Sequence, residues 1–224
     1  MRSLFDRLPP RLVAFLEYRD PFLKRVSGLI HIGANTGQER EQYARHDLDV
    51  VWIEPIPAVF AELKRNLEPF PKQQAFEYLV ADKDDEEHVF HIASNHGASS
   101  SMLALNLHKE IWPDIDYQES IVLKSTTLAT LVEREGLEMS KYQALVVDTQ
   151  GSELLVLKGA SDLLKGFSYI KTEATDFECY TGCCTVAEIE QFLTGHSFRE
   201  CRRNKFASRK GVGACYDIVF RRLR

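Results

Sequence analysis

Mostly apolar runs alternate with amphipathic stretches along most of the chain. Runs such as 28–33 and 144–148 are typical of strands buried on both faces of a parallel sheet. The stretches between them repeat apolar residues every three or four positions, which predicts helices. The predicted strands are 28–33, 50–54, 76–81, 89–92, 121–123, 144–148, 169–173, 197–203 and 215–222, and the predicted helices are 9–25, 37–47, 58–67, 128–135, 152–164 and 186–193. This alternation predicts an α/β fold with a doubly wound sheet.

The segment 83–127 departs from the alternation, because its two short strands are separated by the polar loop 95–101. Loops on a rigid scaffold commonly carry function, so we expect a substrate-binding insertion here. Near the C-terminus, strands 197–203 and 215–222 are predicted to close the sheet as an antiparallel pair. No repeat, low-complexity tract or linker interrupts the sequence, which predicts a single domain over residues 1–224.

The strongest local signal is the loop after the first predicted strand. Residues 33–37 read Gly-Ala-Asn-Thr-Gly and lead directly into a predicted helix. The next strand ends at Glu54, 21 residues after Gly33, and Pro55 follows it. In doubly wound folds, a carboxylate at the tip of the second strand usually accepts hydrogen bonds from ribose hydroxyls. The pattern therefore indicates a nucleotide-type cofactor.

The spacing of the glycines favours one cofactor over another. A dinucleotide site needs G-x-G-x-x-G, so that pyrophosphate can lie against the backbone, but Asn35 occupies the second glycine position here. S-adenosylmethionine carries no phosphate and tolerates a wider loop with a side chain, so it is favoured over NAD. A structural turn that binds no ligand is the alternative.

Composition fits a protein that folds around a sizeable core. The chain has 224 residues, 44% of them hydrophobic, and a net charge of −5. Charges interrupt the N-terminal residues where a signal peptide would be apolar, and the five cysteines are an odd number. These two features predict a cytoplasmic protein. No apolar run approaches the length needed to span a bilayer, so no membrane span is expected.

The positive charge is concentrated at the C-terminal end. Residues 199–224 contain nine Lys or Arg against two acidic residues. Such a segment could bind an anionic substrate, RNA or an acidic lipid surface, or it could be a solvated hairpin. No aromatic-rich pattern accompanies it, so the hairpin is favoured and nucleic-acid binding is not.

An ordered set of motifs over about residues 29–182 resembles the FkbM family of S-adenosylmethionine-dependent methyltransferases. The motifs are His31-Ile32-Gly33-Ala34-Asn35-Thr36-Gly37, Trp52-Ile53-Glu54-Pro55, Ser99-Ser100-Ser101-Met102-Leu103, Val147-Asp148-Thr149-Gln150-Gly151-Ser152-Glu153, Leu157-Lys158-Gly159-Ala160, and Glu173 with Tyr180. The resemblance implies a class I methyltransferase fold, with about seven strands and the last one antiparallel. It also implies methylation of a hydroxyl on a small molecule or sugar. This chain departs from the family at His31, where Asp is usual, and at Gln150, where Glu is frequent.

The expected cofactor-binding residues follow from the motifs. Gly33, Ala34, Asn35 and Gly37 would surround the methionine part of the cofactor, while Glu54, followed by Pro55, would accept hydrogen bonds from the ribose. Asp82, after the third predicted strand, would lie near the adenine amino group, or it is a solvated turn residue.

The expected catalytic residues lie at two further strand ends and in the polar loop. Asp148 would contact the cofactor or orient and deprotonate the substrate, and its alternative role is a helix cap. Glu173 and His96 are further candidates for a general base. A divalent metal on Asp148, Glu173 and Asp176 is a weaker alternative that the resemblance does not require.

The cysteines do not support a zinc site. The spacing of Cys179, Cys183 and Cys184 lacks a second well-spaced pair, so free thiols are expected. The leading hypothesis is therefore an S-adenosylmethionine-dependent O-methyltransferase. The alternative from another class is a noncatalytic module with this fold, which engages RNA or an acidic partner through its basic C-terminal segment. An NAD-dependent oxidoreductase is disfavoured by Asn35.

Overall fold

The computed structural model describes residues 20–223 of the chain. Most of the predicted helix 9–25 lies outside the described residues, and its last part, Pro21–Arg25, is a 3-10 helix. The strands, β1 to β10 in chain order, are Gly28–Ile32, Asp49–Ile53, Gln73–Phe76, Leu79–Val80, Glu87–Ala93, Tyr117–Thr126, Ala144–Val147, Tyr169–Thr175, Phe198–Arg209 and Gly213–Arg222. The α-helices, α1 to α6, are Arg40–Arg45, Pro57–Leu67, His108–Ile111, Leu128–Arg134, Glu153–Gly159 and Val186–Gly195.

Seven of these strands form one sheet with the order β3-β2-β1-β7-β8-β10-β9. The five strands from β3 to β8 are parallel to their neighbours, and β10 pairs antiparallel with both β8 and β9. The predicted doubly wound sheet with an antiparallel last strand is therefore confirmed. The remaining strands form a small sheet with the order β4-β6-β5, which accounts for the irregular segment 83–127.

Apolar side chains cover both faces of the large sheet. Ile30 and Leu145 belong to a core cluster shared with α4, α5 and α6. Trp52 and Val146 belong to a second cluster shared with α1, α2 and the 3-10 helix. Because successive residues of a strand point to opposite faces, runs that are apolar throughout serve both layers.

Several helices begin with the residues that favour a helix start. Pro57 opens α2, where its missing N–H costs no hydrogen bond. The Thr127 side chain accepts a hydrogen bond from the Thr130 backbone N–H and caps α4. Thr185 and Glu188 form a reciprocal capping box at α6. Local sequence thus sets where the helices that flank the strand tips begin.

The predicted third strand, 76–81, is wrong. Phe76 ends β3 of the large sheet, whereas Leu79 and Val80 form β4 and pair with Ser125 and Thr126 of the small sheet. Ala81 continues this second arrangement, because its N–H donates to the carbonyl of Thr126. One apolar run therefore serves two sheets, which periodicity within the run does not reveal.

Other boundaries also differ from the prediction: the helix expected over 37–47 is Arg40–Arg45, and the strand expected over 121–123 is Tyr117–Thr126. The helix expected over 152–164 ends at Gly159, and a separate 3-10 helix covers Leu164–Gly166. The C-terminal hairpin is longer than expected, because β9 continues to Arg209. Its outward positions carry polar residues, so hydrophobicity alone does not show its length. Among residues 20–223, no helix is long and apolar enough to cross a membrane.

Gly159 provides a test of how α5 packs on the residues that follow β4. A Cβ at Gly159 would lie 2.1 Å from the Ala81 carbonyl oxygen, whereas one at Gly195, the last residue of α6, would meet no atom within 4 Å. We expect Gly159→Ala to lower the free energy of unfolding by about 1–3 kcal/mol through overpacking. Gly195→Ala should change it by less than about 1 kcal/mol. Equilibrium urea denaturation measures both, and equal midpoints would contradict this packing.

Candidate active site

The carboxyl ends of β2, β1 and β7 lie side by side, because these strands are parallel neighbours in register. Gly33 leaves β1 with a φ of 83°, in the left-handed region that favours glycine. A Cβ there would lie 1.7 Å from the Asp148 carbonyl oxygen. The glycine is therefore required by the contact between the β1 loop and the end of β7, apart from any ligand.

Glu54 lies at the tip of β2 with its carboxylate turned into the molecule. It is 4% exposed, and its oxygens accept hydrogen bonds from the backbone N–H groups of Asn35 (2.8 Å) and Ile56 (3.0 Å). Burial raises the pKa of Glu54 to about 7, although these two N–H groups act against the rise. The side chain thus joins the β1 loop to the β2 loop and retains lone pairs for further donors.

Asn35 connects the β1 loop to the polar loop of the insertion. Its Oδ1 accepts hydrogen bonds from the Thr36 N–H (2.8 Å) and the Gln38 side chain (3.0 Å), and its Nδ2 donates to the His96 carbonyl (3.1 Å). Gly37, by contrast, packs on α2, because a Cβ there would lie 2.8 Å from Leu63 Cδ1. The structure therefore does not place Gly37 with the other loop residues at the cavity described next.

A cavity of about 220 Å³ opens among these strand ends. Six of the predicted site residues line it: Gly33, Ala34, Asn35, Glu54, Pro55 and Asp148. The insertion contributes Gly97, Ala98 and Ser100. The structure thus brings together the β1 loop, the β2 tip, the β7 tip and the insertion loop, as the sequence predicts for a cofactor site.

The lining also contains residues that the sequence analysis missed. They include an apolar and aromatic group formed by Tyr78, Leu79, Val80 and Phe90, together with Gln38 and Glu39. His31 and Gln150, the two departures from the family pattern, line the cavity as well. The misplaced third strand explains why Tyr78, Leu79 and Val80 were missed, since an end of that strand at Ala81 pointed to Asp82 as the site residue. Asp82 does not line the cavity, and its backbone packs against the end of α5 near Gly159.

Asp148 is held by a chain of hydrogen bonds. The Gln150 side-chain amide donates to Asp148 Oδ1 (2.7 Å), and the Tyr180 hydroxyl donates to Gln150 Oε1 (2.7 Å). Ser101 Oγ donates to the Gln150 carbonyl (2.7 Å). Burial raises the pKa of Asp148 to about 6, and the Gln150 amide limits the rise. An ionised Glu at position 150 would instead oppose the Asp148 charge.

Glu173 lies at a second, much smaller cavity of about 20 Å³. This cavity also contains Gln150, Glu153 and Tyr180, so it adjoins the first cavity through Gln150. Burial and the nearby Asp148 carboxylate hold the pKa of Glu173 well above its usual range. The Glu153 carboxylate accepts hydrogen bonds from the N–H groups of Thr149 and Gly151, and burial raises its pKa to about 7.

His96 is exposed and lies in the insertion loop. Its neighbours Gly97 and Ala98 line the cavity, but the His96 side chain does not belong to the lining. Only its backbone carbonyl is tied to the site, through Asn35. Position therefore favours Asp148 over His96 as a group that meets a substrate.

His31 is among the residues that line the cavity, and its ring is uncharged. It is 4% exposed, stacks on Trp52 with ring centroids 4.8 Å apart, and lies 3.2 Å from the Tyr43 hydroxyl through Nδ1. Burial, with a smaller effect from Lys171, lowers the pKa of His31 to about 3. The imidazole is therefore neutral at physiological pH.

The remaining candidates from the sequence are a metal site, the cysteines and the basic C-terminal segment. No group of three or more His, Cys, Asp or Glu side chains within residues 20–223 is arranged to hold a metal ion. The five cysteines are free thiols. In the basic C-terminal segment, Arg203 is paired with Glu190 and Glu200, and Arg209 with Glu110. Part of its positive charge is thus neutralised within the protein.

Comparison with known families identifies the chain. A family model described as "Methyltransferase FkbM domain" matches residues 31–201. The match spans the β1 loop, Glu54 and the Asp148 motif, and it covers more than half of the chain. The chain belongs to the FkbM methyltransferase family. As an FkbM protein it is an S-adenosylmethionine-dependent methyltransferase by class.

Individual relatives agree with the family and the fold. The 2-O-methyltransferase NoeI of Sinorhizobium fredii (strain NBRC 101917 / NGR234) is 24% identical over 191 residues, which are 82% of this chain and 75% of that protein. The N-methyltransferase NodS of Bradyrhizobium japonicum WM9 has a TM-score of 0.51 at 13% identity, covering 99% of this chain and 100% of NodS. Streptococcus pneumoniae Sp1610, solved with S-adenosyl-L-methionine, has a TM-score of 0.53 at 10% identity, covering 94% and 74%. At these identities the two structures show the class I methyltransferase fold alone.

The neutral His31 predicts a pH dependence of the stability of this FkbM protein. Its folded-state pKa of about 3 lies below the ordinary 6.5, so its contribution to stability is present above pH 6.5 and is lost as the pH falls toward 3. Between these values, the stability of the wild type relative to His31→Phe should fall by about 1.4 kcal/mol per pH unit. Urea denaturation at pH 7, 6 and 5 measures the difference. A constant difference across that range would show that His31 takes up a proton in the folded state.

Proposed function

We propose that the protein transfers the methyl group of S-adenosylmethionine to a hydroxyl of a small molecule or a sugar. One observation carries the proposal: the β1 loop, Glu54 and Asp148 line the same cavity. The loop and Glu54 suit the cofactor, and Asp148 lies where the carboxyl ends of open α/β sheets bind ligands. The family match supports the cofactor and the methyl transfer.

The lining residues fit S-adenosylmethionine in their chemistry. Glu54 presents a buried carboxylate, which can accept hydrogen bonds from the two ribose hydroxyls. Beside it, Tyr78, Leu79 and Phe90 offer an apolar and aromatic surface for a purine. When bound, S-adenosylmethionine supplies a methyl group made electrophilic by its sulfonium. Holding the acceptor oxygen, the methyl carbon and the sulfur in one line then provides much of the rate.

Asp148 is the best-placed residue to accept the proton of a hydroxyl acceptor. With a pKa of about 6 it is ionised at neutral pH, close to the range in which a general base is effective. The pKa of Glu173 is held well above its usual range, so Glu173 is much more readily protonated. The Gln150 amide fixes one Asp148 oxygen and leaves the other for the acceptor.

The choice of an oxygen acceptor rests on the curated relative. NoeI is named a 2-O-methyltransferase, and it aligns with 82% of this chain. The Asp148 carboxylate at the end of β7 also suits a hydroxyl acceptor, because methylation of a hydroxyl benefits from a general base in the transition state.

The first prediction from the proposed function concerns the cofactor. Glu54→Gln should weaken the binding of S-adenosylhomocysteine by about 10–100-fold, because hydrogen bonds to a charged group contribute about 1.5–3 kcal/mol. Isothermal titration measures the dissociation constant. Glu62→Gln, at an exposed position of α2, is the matched control and should bind like the wild type. Absence of binding by the wild type would remove the methyltransferase proposal and return attention to a noncatalytic module that uses the basic C-terminal segment.

The second prediction concerns the base. Hydroxylated small molecules and sugars are screened for conversion of S-adenosylmethionine to S-adenosylhomocysteine. With the acceptor so found, Asp148→Asn should lower kcat by about 10²–10⁴-fold, since that is the usual contribution of a general base. Its affinity for S-adenosylhomocysteine should change by less than about threefold. Equal losses in both would make Asp148 a cofactor ligand instead, and Asp162→Asn, at an exposed position, is the control.

A further inference from the structure

The cofactor cavity has two chemically distinct ends. One contains Glu54 beside the apolar and aromatic group at Tyr78 and Phe90. The other contains His31, Glu39 and Asp148. Glu39 lies one helical turn before Tyr43, whose N–H donates to the Glu39 carbonyl (2.9 Å) and whose hydroxyl is 3.2 Å from His31 Nδ1. Glu39 therefore lies on the face of α1 that is turned toward β1, and its charge contributes to the rise in the pKa of Asp148. Glu54 follows β2 and Asp148 follows β7, and these two strands lie on opposite sides of β1 in the sheet. The acidic end is therefore separate from the ribose end.

The acidic end carries more negative than positive charge among the described residues. Among the charges that act on Glu39, Lys171 lowers its pKa, whereas Asp20 and Asp217 raise it. Lys171 is the cation of the set, and it is already paired with Asp20 at 3.0 Å. A cationic ligand group is therefore favoured beside Glu39.

His31 does not supply a negative charge at this end. Its ring is neutral, lies 3.2 Å from the Tyr43 hydroxyl through Nδ1, and stacks on Trp52. Asp148 has one oxygen held by the Gln150 amide and is assigned to the acceptor. Glu39, which precedes α1 directly, is thus the carboxylate at this end without another assigned task.

We infer that Glu39 binds the α-ammonium group of the cofactor's amino-acid part. The inference rests on the proposed function, because it requires S-adenosylmethionine in this cavity. Glu54 at one end holds the ribose, and Glu39 at the other end holds the ammonium group, so the two carboxylates set the direction in which the cofactor lies. A charge-assisted hydrogen bond from an ammonium to a carboxylate is among the stronger polar contacts.

Two probes that differ in the amino-acid part provide the test. S-adenosylhomocysteine contains the ammonium group, whereas 5′-methylthioadenosine retains the adenosine and the thioether without it. Glu39→Gln should weaken the binding of S-adenosylhomocysteine about 10-fold or more, since the lost hydrogen bond is charge-assisted. It should change the affinity for 5′-methylthioadenosine by less than about twofold. Glu54→Gln, the matched control, should weaken both probes by a similar factor, because both contain the ribose. Isothermal titration measures all of these values.

The outcomes separate the inference from the proposed function. If the wild type binds neither probe, the proposed function fails. If the wild type binds S-adenosylhomocysteine but Glu39→Gln lowers both probes equally or neither, the inference is overturned. Glu39→Asp, which keeps the charge, should restore part of the preference for S-adenosylhomocysteine, and an equal loss in both carboxylate and amide variants would also overturn it. Circular dichroism of each variant establishes that it is folded.

Discussion

The backbone contact between Gly33 and Asp148 sets the geometry of the whole site. It exists because β1 and β7 are parallel neighbours, so their loops leave the sheet at the same edge. With no Cβ at Gly33, the β1 loop lies directly on the Asp148 carbonyl. Glu54 then ties the same loop to the tip of β2 through the Asn35 N–H. Three strand ends are thereby held around one cavity before any ligand binds, which reduces the entropy that binding must overcome.

Burial gives the carboxylates of this edge their particular chemistry. The pKa of Glu54 rises to about 7 and that of Asp148 to about 6, while Glu173 is raised well above its usual range. Burial removes these carboxylates from water and so raises their pKa values. The Ile56 N–H and the Gln150 amide, which donate to Glu54 and Asp148, favour the charged forms of these two residues. The pKa of Glu54 is thus lower than that of Glu173, because backbone N–H groups stabilise the Glu54 carboxylate, whereas the Asp148 and Glu153 charges add to the effect of burial at Glu173.

Much of this arrangement could be predicted from the sequence, because it depends on local patterns. The apolar runs of β1, β2 and β7 and the glycine loop identified the strand tips and six of the cavity residues. The third strand could not be placed, since Phe76 and Leu79 look alike in sequence but belong to different sheets. Tyr78 and Phe90 were missed for the same reason, because pairing between β4, β5 and β6 brings them to the cavity. Gly37 resembles a ligand-facing glycine, although its neighbour is Leu63 of α2.

The two departures from the family pattern have related electrostatic consequences. His31 is neutral where a carboxylate is usual, and Gln150 presents an amide to Asp148 where a carboxylate is frequent. Each replacement removes a negative charge from an edge that already holds Asp148 and Glu173. Because burial makes every additional charge costly, an amide beside Asp148 stabilises the ionised base that a second carboxylate would suppress. The Tyr180 hydroxyl completes this logic, since by donating to Gln150 Oε1 it leaves the amide N–H₂ directed at Asp148.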